Sequence, residues 1–163
     1  MAAIGLLLLS ACAAPRGPRP VPDIHTLLPG SRVSLAVPPG FRHDPSLPGF
    51  ESPDEFTAIF ASEIPGSVYS TLRSFSAESF QKNGMELHGQ ERVTVDGWPG
   101  RLYRASQSAR NTVLERLVLV FGDSSTSVIL NAVTPRESWA DLAATLREAL
   151  LSVRWHRDGV GPG

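Results

Sequence analysis

Apolar and polar residues alternate through Val33-Ser34-Leu35-Ala36-Val37, which predicts a half-buried strand stopped by Pro38-Pro39-Gly40. From Phe41 to Glu55 the alternation is lost among Pro and Gly, so an irregular stretch is expected, while Thr57 to Glu63 reads as a second strand ended by Pro65-Gly66. Ser67 is placed to cap a helix running to about Lys82, with Val68, Leu72 and Phe75 at i, i+4, i+7 on its buried face and Asn83-Gly84 closing it. Leu87 to Val95 reads as a strand with Leu87, Val93 and Val95 on one face and His88, Gln90, Arg92 and Thr94 on the other. Asp96-Gly97 is a two-residue hairpin signal, and the return strand runs from about Gly100 to Gln107.

A second hairpin follows, Thr112 to Phe121, a turn at Gly122-Asp123-Ser124-Ser125, then Thr126 to Val133. Leu117 to Phe121 and Val128 to Leu130 are apolar on both faces, so this part of the sheet needs cover on both sides. Thr134-Pro135-Arg136-Glu137 has the form of a capping box with Pro at the first helical position. Behind it Trp139, Leu142, Ala143, Leu146 and Leu150 form one apolar stripe, and Leu151 to Trp155 is expected to rejoin the sheet as a short last strand. The order is β-β-α-β-β-β-β-α-β, whose physical solution is an α+β domain, an antiparallel sheet covered by helices.

The ends of the chain have a different character. Ala3 to Leu9 is an apolar run too short to span a bilayer, which takes ~20 residues. It is followed by Ser10-Ala11-Cys12, the pattern of a bacterial lipoprotein signal, in which the cysteine thiol receives a diacylglycerol before cleavage on its amino side. No Lys or Arg precedes Arg16; either a basic segment lies upstream of Met1 or the signal is weakly charged. Cys12 is the only cysteine, and lipidation would consume it, leaving no thiol for disulfides, catalysis or metal. Eleven of the 14 prolines lie at or before Pro65, and the Pro/Arg-rich start reads as a linker. The expected layout is a signal peptide at 1–11, lipidated Cys12 and linker over 12–30, one domain over 31–156, and a loose tail over 157–163.

Composition narrows the function classes. Apolar residues make up 42% and charged residues 19% of the chain, ordinary for a globular domain, and a net charge of −1 gives no basic surface for nucleic acid. Lys82 is the single lysine, so Ser79-Phe80-Gln81-Lys82, which matches the Ser-x-x-Lys of penicillin-recognising enzymes, has no Lys-Thr-Gly to complete it. Ser79 is therefore expected to be inert. His25, His43, His88 and His156 share no metal-ligand spacing, and no phosphate-cradling loop is present, so no catalytic set, metal or cofactor is expected. His43-Asp44 reads as a solvated loop pair and His88 as half of a cross-strand contact. Trp98 follows the Asp96-Gly97 turn, and Arg101, Tyr103, Arg104, Arg110 and Arg116 make the following strands Arg-rich. A solvated sheet face is the default for such a pattern; the sharper expectation is a surface for an acidic partner formed by Trp98, Arg101, Tyr103, Arg104 and Arg116.

Taken with the element order, the stretches Val33 to Phe41, Gly84 to Tyr103 and Pro135 to Trp155 resemble the PsbP-like (Mog-type) α/β/α sandwich. Within it they resemble the small bacterial envelope lipoproteins related to DcrB and LpqN. The resemblance covers about 31–156, and its markers (a Pro-Gly-Phe turn, an Asp-Gly hairpin, a capped last helix) are structural. It implies a binding or assembly module rather than an enzyme. The expectation is thus a monomeric, non-enzymatic lipoprotein, anchored to the outer membrane facing the periplasm, or to the outer face of the cell membrane where there is only one. Its partner would be an envelope protein. The alternative is a carrier or chaperone for a lipid or hydrophobic peptide, held between sheet and helix, with segment 38–55 as a mobile flap.

Overall fold

The computed structural model describes residues 21, 24–53 and 56–158. Cys12, the apolar run before it and most of the expected linker lie outside the described residues. Two antiparallel sheets form. The larger is seven-stranded, in the order β3 (Arg42–Asp44), β4 (Gly49–Ser52), β5 (Thr57–Pro65), β9 (Thr126–Pro135), β8 (Thr112–Gly122), β7 (Trp98–Ala109), β6 (Met85–Val95). The smaller joins β1 (His25–Leu27), β2 (Val33–Ala36) and β10 (Arg154–Trp155), with β2 in the middle. Helix α3 (Arg136–Leu151) and the small sheet cover one face of the large sheet; α1 (Val68–Ser74) and α2 (Ala77–Lys82) lie over the other.

Both expected core stripes are present. Leu142, Leu146 and Leu150 of α3 pack with Leu28, Val33, Leu35, Leu119, Phe121, Leu130 and Trp155 in the larger apolar cluster. Val68, Leu72 and Phe75 of α1 meet Phe80, Tyr103, Ala105, Val118 and Val120 in the second, so β8 and β9 are covered on both faces as their composition requires. The Asp96-Gly97 turn has φ of 50° and 78°, two consecutive left-handed residues, which is the two-residue connection that matches strand twist.

Several expectations are corrected. The irregular stretch after Phe41 holds a hairpin: β3 pairs with β4, and β4 pairs along β5 and buries Phe50, so residues 42–52 form the sheet edge rather than a flap. The linker stops short of 30, because His25–Leu27 pairs with β2 and Leu28 is fully buried. The single helix from Ser67 is two. Ser67 does cap the first, accepting from Tyr69 N, but Phe75 leaves helical geometry at ψ 65° and Ser76 opens a second helix through a reciprocal cap with Ser79. Phe75 turns inward, where its ring lies 5.9 Å from Phe80 and 5.3 Å from Tyr103.

At the start of α3, Thr134 does not cap. It stays in β9, buried, and its hydroxyl pairs with that of Thr57 at 2.7 Å, leaving Pro135 at the N-cap without a side-chain hydrogen bond. The last strand joins the small sheet instead of the large one, Trp155 pairing with Val33. The domain also extends past 156. His156 N donates to Arg32 O at 2.8 Å, Arg157 pairs with Asp123 at 2.8 Å, and the Arg157 guanidinium lies 5.2 Å from the Trp98 ring centre.

Asp123 is the hub of the β8–β9 turn. Its Oδ1 accepts from Ser125 N at 2.7 Å, Thr126 N at 2.8 Å and Ser125 Oγ at 2.9 Å. The two backbone bonds, first Ser125 and then Thr126, hold its carboxyl below the ordinary carboxylate value; the Ser125 hydroxyl and Arg157 act the same way, and partial desolvation opposes them. A carboxyl held low in the folded state stabilises fully above its unfolded pKa and loses that stabilisation as pH falls through the lower folded value. Asp123→Asn is therefore expected to show a constant deficit in urea midpoint from neutral pH down to about pH 4, and a shrinking one below. A deficit that persists undiminished to the acid limit would contradict this.

Candidate functional site

The expected partner surface does not exist as one surface. In β7, Trp98, Leu102 and Arg104 face α3, whereas Arg101, Tyr103 and Ala105 face α1 and α2, since alternate residues of a strand point to opposite sides. Arg116, opposite Ala105, joins the latter set. Tyr103 is fully buried against Phe75 and Phe80. Burial lifts its phenol above the ordinary value, opposed by the nearby charge of Arg101. Trp98 is half-buried and meets Trp155 edge-on at 5.4 Å.

The strand opposite contributes a further correction. Pairing slips between Leu87 and Gly89, so His88 is an extra residue and everything after it changes face. Leu87 packs beneath α1 and α2, while Val93 and Val95 belong to the α3 side. His88 bonds Ser106 at 2.7 Å, the cross-strand contact expected for it, and His43 is exposed on β3. Ser79 is occupied in the α2 cap and Lys82 pairs with Glu78 at 2.8 Å, so the Ser-x-x-Lys match assembles no site.

The bulge opens a groove. Gly89 removes a side chain from the α3 face of β6 just where α3 passes, and a cavity of about 370 Å³ lies between them. Its floor is Leu102 and Leu117, and its far wall is Trp139 and Ala143 of α3. Charged pairs rim it. Arg147 donates to Glu91 at 3.0 and 3.1 Å, tying α3 to β6 at one end. At the other end the buried Glu115 accepts from Arg136 at 2.8 Å and faces Arg104 at 3.8 Å, and the Arg104 guanidinium stacks over Trp139 at 5.0 Å. The rim charges are thus largely matched within the domain, and the interior is apolar with an aromatic wall.

Of the expected residues, only Arg104 borders this groove with its side chain. Trp139 and Ala143 were visible as the margin of the α3 stripe, which is where a helix leaves its core. Glu115 was not singled out in the sequence, although a lone acid within the largely apolar stretch Leu114 to Phe121 is a signal that a cation must meet it. Among the described residues no group of three or more His, Cys, Asp and Glu is gathered as a metal would need.

The two-sided covering of an antiparallel sheet, with a small second sheet beside the C-terminal helix, is the PsbP-like fold, as the resemblance implied. No family model and no curated protein matches the chain. Among solved structures it is similar to LpqN of Mycobacterium tuberculosis, a protein involved in cell envelope biogenesis, with a TM-score of 0.59 and 18% identity over 74% of this chain and 81% of that one. It is similar to the cyanobacterial PsbP of Synechocystis, with a TM-score of 0.52 and 16% identity over 76% of this chain and 86% of that one. A Bacteroides thetaiotaomicron protein gives a TM-score of 0.55 at 13% identity, over 85% of this chain and 50% of its own.

Proposed function

We propose that this protein is a non-enzymatic, monomeric lipoprotein of the bacterial cell envelope, anchored through Cys12, that receives an envelope protein partner at the groove between α3 and β6–β8. The observation that carries the reading is the groove itself, an open apolar trough with Trp139 as its wall and rim charges already largely matched. Such a site gains mainly by burying apolar side chains, with aromatic and arginine residues at its centre of gravity. Its volume lies at the small end of ligand pockets, which suits one or two side chains of a partner better than the paired acyl chains of a phospholipid. The envelope setting draws on the Ser10-Ala11-Cys12 pattern and on the role named for LpqN. No helix among the described residues is long and apolar enough to cross a membrane.

The apolar floor also favours a second reading, a carrier for a small hydrophobic ligand. One experiment separates the two. A photo-crosslinking residue at Ala143, in cells, is expected to capture a protein of defined mass, whereas the same residue at Ser70 on the opposite helix layer is not. Trp139→Ala should reduce that crosslink roughly tenfold or more, the effect of losing a central aromatic anchor. Native mass spectrometry of the purified chain should then give an apo mass. A stoichiometric lipid instead, with no protein crosslink, would overturn the partner reading in favour of the carrier.

A further inference from the structure

Several arginines of the domain are paired with a carboxylate, whereas Arg101 and Arg116, on the α1 and α2 face of the large sheet, have none among the described residues. Arg32 is matched by Glu63, Arg104 and Arg136 by Glu115, Arg147 by Glu91 and Arg157 by Asp123. Arg116 meets no carboxylate among the described residues. Its polar partner is the side-chain oxygen of Gln107, 3.2 Å from Nε and 2.7 Å from Nη2. A guanidinium presents five N–H groups in a planar fork. Gln107 takes the Nε side of that fork and leaves the end formed by Nη1 and Nη2 unused. The residue is half-buried, and burial draws its pKa below the ordinary arginine value, as expected of a charge that lacks a counter-ion.

The surroundings say what kind of counter-ion would fit. Arg116 borders a cavity of about 360 Å³ with Phe75, Phe80, Met85 and Ile129 as apolar walls and Asn131 supplying an amide. A body of ring or short-chain size is accommodated there beside one cation. A single cation balances one negative charge, and the free end of the fork matches the two coplanar oxygens of a carboxylate.

We propose that this cavity binds a small amphiphilic anion, one carboxylate on an aromatic or short aliphatic body, with Arg116 gripping the carboxylate end-on and Phe75 and Phe80 holding the body. The site lies on the opposite face of the sheet from the α3 groove and does not depend on that groove having a partner.

The test is calorimetric titration of the full-length chain with 4-phenylbutyrate and with 4-phenylbutan-1-ol, which has the same body and no charge. The acid is expected to bind at least roughly tenfold more tightly than the alcohol, the contribution of one charge-assisted pair. Arg116→Gln should bring the acid down to the level of the alcohol. Equal binding of acid and alcohol to the unaltered chain would overturn the proposal without reference to any variant. So would absence of binding by both, or full affinity retained in Arg116→Gln with its folding verified by circular dichroism.

Discussion

Gly122→Ala is expected to destabilise the domain by roughly 3 kcal/mol, the sum of backbone strain and a contact that cannot relax. Gly122 ends β8 at φ 149°, in the region that residues with a Cβ rarely adopt. A Cβ there would collide with the Thr126 carbonyl oxygen and lie 3.0 Å from Ser127 Cα, both backbone atoms of the paired strand. The cost would spread from the turn, because the turn seats a helix. Val68 N donates to Asp123 O at 2.9 Å and Gly66 N to Ser125 O at 2.8 Å, so the start of α1 hangs on the backbone that Gly122 positions. At this chain length the loss corresponds to a fall in Tm of roughly 6–12 °C. Gly66→Ala is the matched control: its φ is 124° but nothing lies within 4 Å of the added carbon. That variant should lose only the strain contribution, about 1 kcal/mol. If thermal unfolding gave the two variants equal shifts, the close contact at Thr126 would not be the cause.

What could be read along the chain, and what could not, divides by how far each element depends on its own residues. The hairpins at Asp96-Gly97 and Gly122 to Ser125 and the long stripe of α3 announce themselves through local chemistry, and the structure contains them. β1 has three residues, too few to show any period, and is a strand because Leu28 has a core to enter; β10 was expected as a last strand from Leu151 to Trp155, but is only Arg154–Trp155 and pairs in the small sheet. The β3–β4 hairpin was hidden by its prolines, yet an edge tolerates them, and Gly49 lets β4 approach β5 at the one place where a Cβ would strike the Ile59 carbonyl oxygen. Thr134 shows a genuine ambiguity. A Thr before Pro-Arg-Glu reads as a helix cap, but its hydroxyl had a buried partner in Thr57, 77 residues away, and the sheet claimed it.

The site was the harder part for a related reason. A single inserted residue at His88 moves Leu87 and Val93 to opposite faces, and with alternation as the only guide the two look alike. Once the bulge is in place, Gly89 faces α3 and the groove beside Trp139 follows. The arginines of β7 and β8 were read as one patch because they are close in sequence. Arg101 and Arg116 lie on one face and Arg104 on the other, and only Arg104 has a carboxylate to meet.

Trp155→Ala is expected to cost about 3–5 kcal/mol, as for other buried aromatic residues cut to Ala, measurable as a lowered urea midpoint with an unchanged slope. Trp155 is 6% exposed, meets Trp98 at 5.4 Å and Phe121 at 6.0 Å in edge-on contacts, and lies beneath the guanidiniums of Arg157 and Arg32 at 5.6 and 6.0 Å. The β10 ladder amounts to two residue pairs, too little to hold a strand, so the ring, the bond from the Trp155 backbone N–H to Asp96 Oδ2 at 2.8 Å and that from His156 N to Arg32 O together fix the end of the chain. Loss of the ring should therefore release more than its own contacts. Arg157 would keep Trp98 but lose one of its two aromatic neighbours, and its pairing with Asp123 at 2.8 Å should loosen, while the acid sensitivity of Asp123, which rests chiefly on Ser125 N and Thr126 N, should largely remain. Trp155→Phe distinguishes packing from polarity. It keeps a ring in the cluster and removes an indole N–H that is buried without a hydrogen-bond partner, so its cost should stay near 1 kcal/mol, the removed polar group offsetting part of the lost volume. If Trp155→Ala instead cost no more than Trp155→Phe, the small sheet would be held by its backbone and its charges, and the ring would be a passenger on it.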